Sequence, residues 1–281
     1  MFFYVTKPGP NMKRYRHKYL VYLYIIWFVF SLSAIQVLAD QKGTGNQSVH
    51  IVWAEPSDHE YAIFYSSKNN GDWSSPVKLS DNDKLNVTPA ITFDPTGIGW
   101  VVWSALEGSE IYLYYQRFHN NAWDRETEID TGLSSNTSPT LLVDRLGIIW
   151  IVWAGNNGQN DEIFFSRWIN GVFETPIQIT DNSVPDVLPV LSVDKINSIP
   201  RIDWLQFCDS GNCAYYSQWT GNTWSEPSPV NKEENIVGNA TASALQEKKI
   251  QIPSFVKTPQ SVSVHIDGDS IQSRPLRLIP R

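Results

Sequence analysis

The segments HIVWAE (50–55), WVVWSA (100–105), WIVWAG (150–155) and RIDWLQ (201–206) decide the fold, because they repeat one pattern along the chain. The tryptophans they share lie 50, 50 and 51 residues apart, and they are Trp53, Trp103, Trp153 and Trp204. We call such a set of corresponding residues a column. Three further columns have this period, and their members are Trp73, Trp123, Phe173 and Trp224; Tyr65, Tyr115, Phe165 and Tyr216; and Leu79, Ile129, Ile179 and Val230. Several columns in one register indicate internal repeats.

Each repeat divides into four short segments of β character. The first segment, as in PAITFD and PTLLVD, ends at an aspartate, and a glycine or asparagine follows three residues later. This spacing predicts a tight turn, because aspartate bonds the amides that follow it and glycine tolerates positive φ. The residues of these structural turns are Asp94 with Gly97, Asp144 with Gly147, and Asp194 with Asn197. Asn-Gly and Asn-Asn pairs after the third segment predict two-residue hairpins.

Four-stranded units repeated about every 50 residues predict an all-β chain that forms a β-propeller of four to five blades. A β-solenoid is the alternative, although solenoid coils are usually shorter and lack this hairpin chemistry. We interpret the tryptophan columns as packing between blades, where large flat rings bury much apolar area. The predicted repeat domain is residues 40–245.

The closure of the ring is the least determined feature of this prediction. The first repeat lacks its first strand, because residues 39–44 do not resemble PAITFD. The period reaches residues 240–245 at the other end, which we expect to supply the missing strand. Residues 246–281 are then a C-terminal tail or a degenerate fifth blade. A four-bladed ring, a five-bladed ring and an incomplete ring completed by a second chain all remain open.

The first 39 residues have the order of a secretory signal peptide, in which basic residues (Lys13 to Lys18) precede a run of 21 mostly apolar residues. An uncleaved membrane anchor is the alternative. Both interpretations predict a secreted or extracytoplasmic protein that meets a membrane only through this segment. Five of the 22 basic residues and none of the 29 acidic ones lie there, so the remainder has a formal charge of −12. Nucleic acid is therefore not an expected partner.

Export permits a disulfide, and we predict one between Cys208 and Cys213, across a turn between two apolar runs. A metal pair is the alternative interpretation, but further ligands at suitable spacing are lacking. We expect no cofactor; a calcium ion is an option that no ligand motif supports. The pattern Asn-x-Ser/Thr for N-glycosylation occurs at Asn46, Asn86, Asn136 and Asn239.

Two short motifs connect these repeats to a known family. Asp-x-x-Gly-x-x-Trp occurs at residues 94–100 and 144–150, and Trp-Ser-x-Pro at 73–76 and 224–227. The repeats resemble those of the sialidase-like propeller superfamily, also called BNR or Asp-box propellers, over residues 48–230. They depart from the Asp-box of that family, because two residues rather than one separate Asp94 from Gly97. The repeats are also similar to propeller lectins, in which sugars bind between blades.

The resemblance implies a sialidase only if three arginines on one propeller face grip the substrate carboxylate. The loops between second and third strands, such as SALEGSE and AGNNGQND, contain no arginine or lysine. The loops that join blades add only Lys84 and Lys232. Sialidase activity is therefore not expected.

The remaining candidates for a site are loop carboxylates and aromatic residues outside the columns. The predicted binding residues are Asp58, Glu60, Glu107, Glu110, Asp161, Trp168 and Trp219, with both tryptophans expected to face solvent. They favour a non-catalytic module that binds neutral carbohydrate. A glycoside hydrolase, which needs two nearby carboxylates drawn from this set and Glu162, is one alternative. A protein-interaction scaffold is another, and the carboxylates also suit a purely solvated surface.

Overall fold

The computed structural model describes residues 48–57, 60–69, 71–80, 84–193, 199–208, 211–230, 256, 261–266 and 275–276. These residues belong to one compact unit, and their regular structure consists of β-strands. None of them forms a helix of the length and apolar character that could cross a membrane. The predicted signal or anchor segment, residues 1–39, lies outside the described residues.

The strands form four antiparallel sheets that follow the repeats. The first sheet begins with β1 (Ser48–Ser57), β2 (Glu60–Asn69) and β3 (Val77–Lys78). The second contains β4 (Leu85–Phe93), β5 (Gly99–Glu107), β6 (Glu110–His119), β7 (Ala122–Trp123) and β8 (Thr127–Ile129). The third contains β9 (Asn136–Val143), β10 (Ile149–Asn156), β11 (Asp161–Ile169), β12 (Val172–Phe173) and β13 (Ile177–Gln178). The fourth contains β14 (Asp186–Val193), β15 (Pro200–Cys208), β16 (Gly211–Gln218) and β17 (Ser228–Pro229).

The turn between the first two strands of a repeat is organised by its aspartate, as predicted. Asp94 Oδ1 accepts hydrogen bonds from the amides of Thr96 (2.9 Å) and Ile98 (3.0 Å), and Asp144 binds the corresponding amides of its own turn. Gly97 has φ = 86°, a conformation that side chains other than glycine rarely adopt. Asp194 lies outside the described residues.

The tryptophan columns pack between sheets, which confirms their predicted structural role. Side chains alternate along each second strand, so β5 and β10 each contribute to two interfaces. One set of alternate residues packs against the preceding sheet, and it includes Trp103, Trp153 and Trp204. The other set packs against the following sheet, and it includes Val52, Val102 and Val152. Burial of each large apolar side chain contributes roughly 1.5–3 kcal/mol.

In the second, third and fourth sheets the first strand, which we call the inner strand, is β4, β9 or β14. The first sheet receives its inner strand from the C-terminal part of the chain. This strand, β18 (Ser261–Ile266), pairs antiparallel with β1, and β19 (Pro275–Leu276) pairs with β18. The sequence interpretation gave this place to residues 240–245, which lie outside the described residues, so the closing strand comes later in the chain than predicted. Residues assigned to a tail or a fifth blade therefore complete the first sheet.

The fourth sheet differs from the other three on the face that would meet a following sheet. Asp203 stands where the earlier sheets carry a buried valine, and Arg201 stands where the second and third carry tryptophan. The two residues pair with each other, with Arg201 Nη2 2.7 Å from Asp203 Oδ1. Among the described residues, four sheets thus share three packed interfaces, and the fourth ends in a polar face.

Candidate functional site

The predicted acidic residues that the structure describes lie at one end of the sheets. Antiparallel pairing places Leu85, at the start of β4, opposite Leu106, near the end of β5, and Glu107 opposite Glu110. The β5–β6 and β10–β11 loops therefore share an end with the segments that precede β4, β9 and β14. We call this the acidic end, and the end that carries the Asp94 and Asp144 turns the turn end.

Glu107 belongs to a three-residue polar cluster between the first and second sheets. The Tyr114 hydroxyl donates a hydrogen bond to Glu107 Oε1 at 2.6 Å, and Lys84 Nζ contacts both side chains. Burial works to lower the pKa of Lys84, but its hydrogen bonds to Glu107 and Tyr114 outweigh this and raise it. Burial works to raise the pKa of Glu107, but the hydrogen bonds from Lys84 and Tyr114 lower it. Both side chains are therefore held in their charged forms.

A second tyrosine and glutamate lie on the same hairpin. Tyr112, two residues before Tyr114 and on the same face of β6, donates a hydrogen bond from its hydroxyl to the exposed Glu110. This hydrogen bond, together with burial, raises the pKa of Tyr112 to about 12. The ring of Tyr112 rests, half-buried, on the core between the first two sheets. The acidic end thus presents an aromatic ring with a carboxylate fixed at its edge.

Glu162 is fully buried. Its carboxylate accepts hydrogen bonds from Thr180 Oγ1 (2.6 Å) and the Asn182 amide (3.1 Å). Asn182 in turn donates to Asp186 Oδ2 at 2.6 Å. Burial raises the pKa of Glu162, and it also raises that of the neighbouring Asp161. This network anchors the segment between the third and fourth sheets rather than facing a ligand.

The remaining predicted carboxylates that the structure describes lie on two sheets, the first and the third. Glu60 is exposed at the start of β2, and Asp161 begins β11, where its Oδ1 accepts a hydrogen bond from Asn156 Nδ2 at 3.0 Å. Asp58 lies outside the described residues. Glu107 and Glu110 face each other across the β5–β6 hairpin.

Trp168 and Trp219 lie between sheets rather than on the solvent-facing surface predicted for them. Trp168 packs edge-on against Trp100 with ring centroids 4.9 Å apart, and Trp219 packs in the same way against Trp150 at 5.0 Å. The reason is strand parity, because Trp168 is an even number of residues from Phe164 and shares its buried face. Arg117 Cζ lies 5.3 Å from the Trp168 ring, close enough for a cation–π contact.

A column of buried polar residues on the inner strands escaped sequence interpretation. The indole nitrogens of Trp103, Trp153 and Trp204 donate to Oδ1 of Asn86, Asn136 and Asp186, at 2.8, 2.9 and 2.8 Å respectively. These acceptors also lie 50 residues apart, but two of them fit the glycosylation pattern and were interpreted only in that way. All three are fully buried, so Asn86 and Asn136 are not accessible for glycosylation.

The predicted disulfide is present, and it joins Cys208 and Cys213 across the β15–β16 hairpin at the acidic end. The described residues contain no group of three or more histidine, cysteine, aspartate or glutamate side chains placed to hold a metal ion.

Comparison with known proteins identifies the architecture. No family model and no curated protein matches the chain. A solved protein of unknown function from Dyadobacter fermentans is similar with a TM-score of 0.51 and 11% identity, over 70% of this chain and 72% of that one. The intramolecular trans-sialidase from Ruminococcus gnavus is similar with a TM-score of 0.50 and 8% identity, over 70% of each chain. At the level of the fold, these similarities confirm the resemblance to sialidase-like β-propellers.

Proposed function

We propose that the protein is an exported, non-catalytic β-propeller module that binds carbohydrate at its acidic end. The observation that carries this proposal is the pair of tyrosine–glutamate hydrogen bonds on one face of β6, Tyr112 with Glu110 and Tyr114 with Glu107. Lys84 completes the second pair. Together they combine a half-buried aromatic ring with fixed polar groups at one edge of a sheet.

The chemistry of these groups suits a sugar. A sugar ring offers an apolar face of C–H groups to an aromatic side chain, and its hydroxyls hydrogen-bond to carboxylate and ammonium groups. Ring contact supplies apolar area, and the few polar groups fix orientation. Lys84 already pairs with Glu107, so its charge is not available to an anionic sugar, while Glu110 adds a negative charge. We therefore expect neutral or cationic sugars to bind in preference to sugar acids.

The protonation states favour binding over hydrolysis. A general acid must carry a proton at working pH, yet the lowered pKa of Glu107 keeps that carboxylate ionised. Glu162, whose raised pKa would suit an acid, is fully buried and accepts hydrogen bonds from the segment between the third and fourth sheets. A hydrolase pair would need both carboxylates to reach one glycosidic bond.

Two further observations support export of the protein and a carbohydrate ligand. The disulfide between Cys208 and Cys213 suits an oxidising compartment outside the cytoplasm. The fold shared with a trans-sialidase shows that this architecture can serve carbohydrate chemistry, although it does not identify a ligand.

The test is a glycan array probed with the exported protein and three variants. Tyr112→Ala removes the ring, Glu110→Gln removes the charge, and Phe207→Ala is the control, because Phe207 is 43% exposed near the same end of the fourth sheet. We expect binding to neutral glycans that weakens about tenfold or more in Tyr112→Ala and is unchanged in Phe207→Ala. Absence of binding to every glycan would refute the proposal.

A second measurement separates binding from hydrolysis. The protein is incubated with an oligosaccharide that it binds, and the products are separated by chromatography. We expect the oligosaccharide to be recovered intact. Cleavage that disappears in Glu107→Gln would contradict the non-catalytic proposal and support the hydrolase alternative.

A further inference from the structure

A pocket of about 460 Å³ opens at the turn end of the second sheet, away from the acidic end. It lies between the β4–β5 turn and the β6–β7 hairpin, and its lining residues are Thr96, Gly97, Ile98, Arg117, His119 and Asn120. Its volume falls within the range of small-molecule sites. Gly97 keeps one side open, because a Cβ built there would meet no heavy atom within 4 Å.

The charges on the pocket wall compensate one another. Asp124 accepts hydrogen bonds from Arg117 Nε at 3.0 Å and pairs with His119 Nε2 at 2.7 Å. On the other side of the imidazole, Asn120 Nδ2 lies 3.1 Å from His119 Nδ1. Both ring nitrogens of His119 therefore have polar partners, Asp124 at Nε2 and Asn120 at Nδ1. The guanidinium of Arg117 is paired with the carboxylate of Asp124, so its charge is compensated at the wall itself.

The remaining polar groups offer both donors and acceptors of hydrogen bonds. The Thr96 hydroxyl donates to Asp94 Oδ1 at 2.6 Å, so its oxygen is oriented as an acceptor toward other groups. Arg117 and the amide of Asn120 supply donors at the same wall. Beside them, the half-buried ring of Trp168 lies 5.3 Å from Arg117 Cζ. A pocket whose arginine is already paired with a carboxylate, with convergent polar groups next to an aromatic ring, fits a polyhydroxylated, uncharged ligand.

Comparison of the second sheet with the third shows which pocket residues the fold itself requires. The third sheet keeps the arginine and its ion pair, because Arg167 Nε binds Glu174 Oε2 at 2.8 Å. It also keeps the asparagine, with Asn170 in the place of Asn120, but it has Leu146 in the place of Thr96 and Ile169 in the place of His119. Since the third sheet folds without that threonine and histidine, the architecture does not require them in the second.

We propose that this pocket is a second carbohydrate-contact site, which takes one neutral sugar unit through Thr96, His119 and Asn120. The site goes beyond the function proposed for the acidic end and does not depend on it. Two contact sites at opposite ends of the sheets would let one molecule hold two stretches of glycan.

The experiment follows the ring signals of His119 by NMR in the exported protein. The neutral probes are the methyl glycosides of glucose, galactose and mannose, and the anionic probes are methyl glucuronide and inorganic sulfate. His119→Ile identifies the signals by their loss. Thr96→Leu imports the residue of the third sheet, and Ile169→Val is the control in that sheet. A thermal unfolding curve for each variant verifies that it is folded.

We expect at least one neutral glycoside to shift the His119 signals, with an affinity that Thr96→Leu weakens about tenfold and Ile169→Val leaves unchanged. Tyr112→Ala, the variant that tests the acidic end, should leave this response intact, so either proposal can fail alone. The inference is overturned if no neutral glycoside shifts these signals. It is equally overturned if the anions shift them more strongly, or if Tyr112→Ala abolishes the response.

Discussion

At the scale of single residues, buried polar side chains connect β4, β9 and β14 to neighbouring segments. Asn136 accepts a hydrogen bond from the Trp153 indole and donates to the carbonyls of Ile111 (2.9 Å) and Leu133 (3.1 Å). One side chain thus joins its own sheet, the preceding sheet and the segment between them. Because these groups are buried, removal of the Asn136 side chain would leave them without a hydrogen-bond partner, and water could not replace it.

Replacing Asn136 by alanine should therefore destabilise the protein strongly. The indole nitrogen and two carbonyls lose their partner, and one unsatisfied buried group alone costs about 1–3 kcal/mol. We expect a loss of about 3 kcal/mol or more in urea unfolding. The control is Ser138→Gly, which removes the glycosylation pattern and suits the positive φ of 54° at that position. A stability of Asn136→Ala equal to that of Ser138→Gly would contradict this role.

Glu162 gives a prediction about pH. Burial raises its pKa above the ordinary value of 4.5, so the folded protein holds this proton more tightly than the unfolded chain does. The stability that Glu162 contributes is therefore fully present below about pH 4.5 and is lost as the pH rises through the folded-state pKa. Glu162→Gln does not titrate and avoids this loss.

We expect the stability of Glu162→Gln, relative to that of the natural protein, to increase as the pH rises from about 4 to 7. Urea unfolding at both pH values measures this difference. Glu60→Gln is the control, because Glu60 is exposed in the folded protein as it is in the unfolded chain. A relative stability that is constant with pH, or that moves in the opposite direction, would contradict the assignment.

At the scale of elements, β18 is held by more than its pairing with β1. The hydroxyls of Ser261 and Ser263 accept hydrogen bonds from the amides of Thr88 (3.1 Å) and Ile91 (3.3 Å) in β4. These amides flank a register shift between Val87 and Ala90, where regular pairing is interrupted. The closing strand therefore satisfies groups of the second sheet as well as the edge of the first.

The double variant Ser261→Ala with Ser263→Ala should lose about 2–5 kcal/mol, because two backbone amides lose their acceptors at buried positions. Ser192→Ala is the matched control, since Ser192 also lies on an inner strand but only partly buried, with a 3.4 Å hydrogen bond. Thermal unfolding compares the two. A similar, small effect in both proteins would mean that water or other groups replace the serine hydroxyls.

The sequence predicted those elements that recur with the period, and missed those that do not. The columns led to four sheets and to the Asp94 and Asp144 turns, because both depend on local spacing. The strand SVSVHI matches no column, so its pairing with β1 could be found only in three dimensions. The cluster around Glu107 was equally hidden, since Lys84 and Tyr114 come from different segments and meet only through strand pairing.

At the scale of the whole molecule, the fourth sheet carries charged side chains on the face by which the second and third sheets pack against the next sheet. A terminal repeat of a stacked array needs a polar outer face to remain soluble. Arg201 makes two contacts on this polar face: it pairs with Asp203, and its Cζ lies 3.9 Å from the centre of the Tyr216 ring. The same positions in the third sheet, Trp150 and Val152, are buried against the fourth.

Arg201→Trp combined with Asp203→Val gives the fourth sheet the residues of an interior sheet. We expect this variant to self-associate as its concentration rises, because apolar side chains replace two charged ones that are partly exposed. Sedimentation velocity measures the association. Asp203→Asn, which breaks the ion pair and keeps the face polar, should behave like the natural protein. If the double variant sediments like the natural protein at every concentration, the face is covered within the molecule, and the ring is closed by residues other than those in the four described sheets.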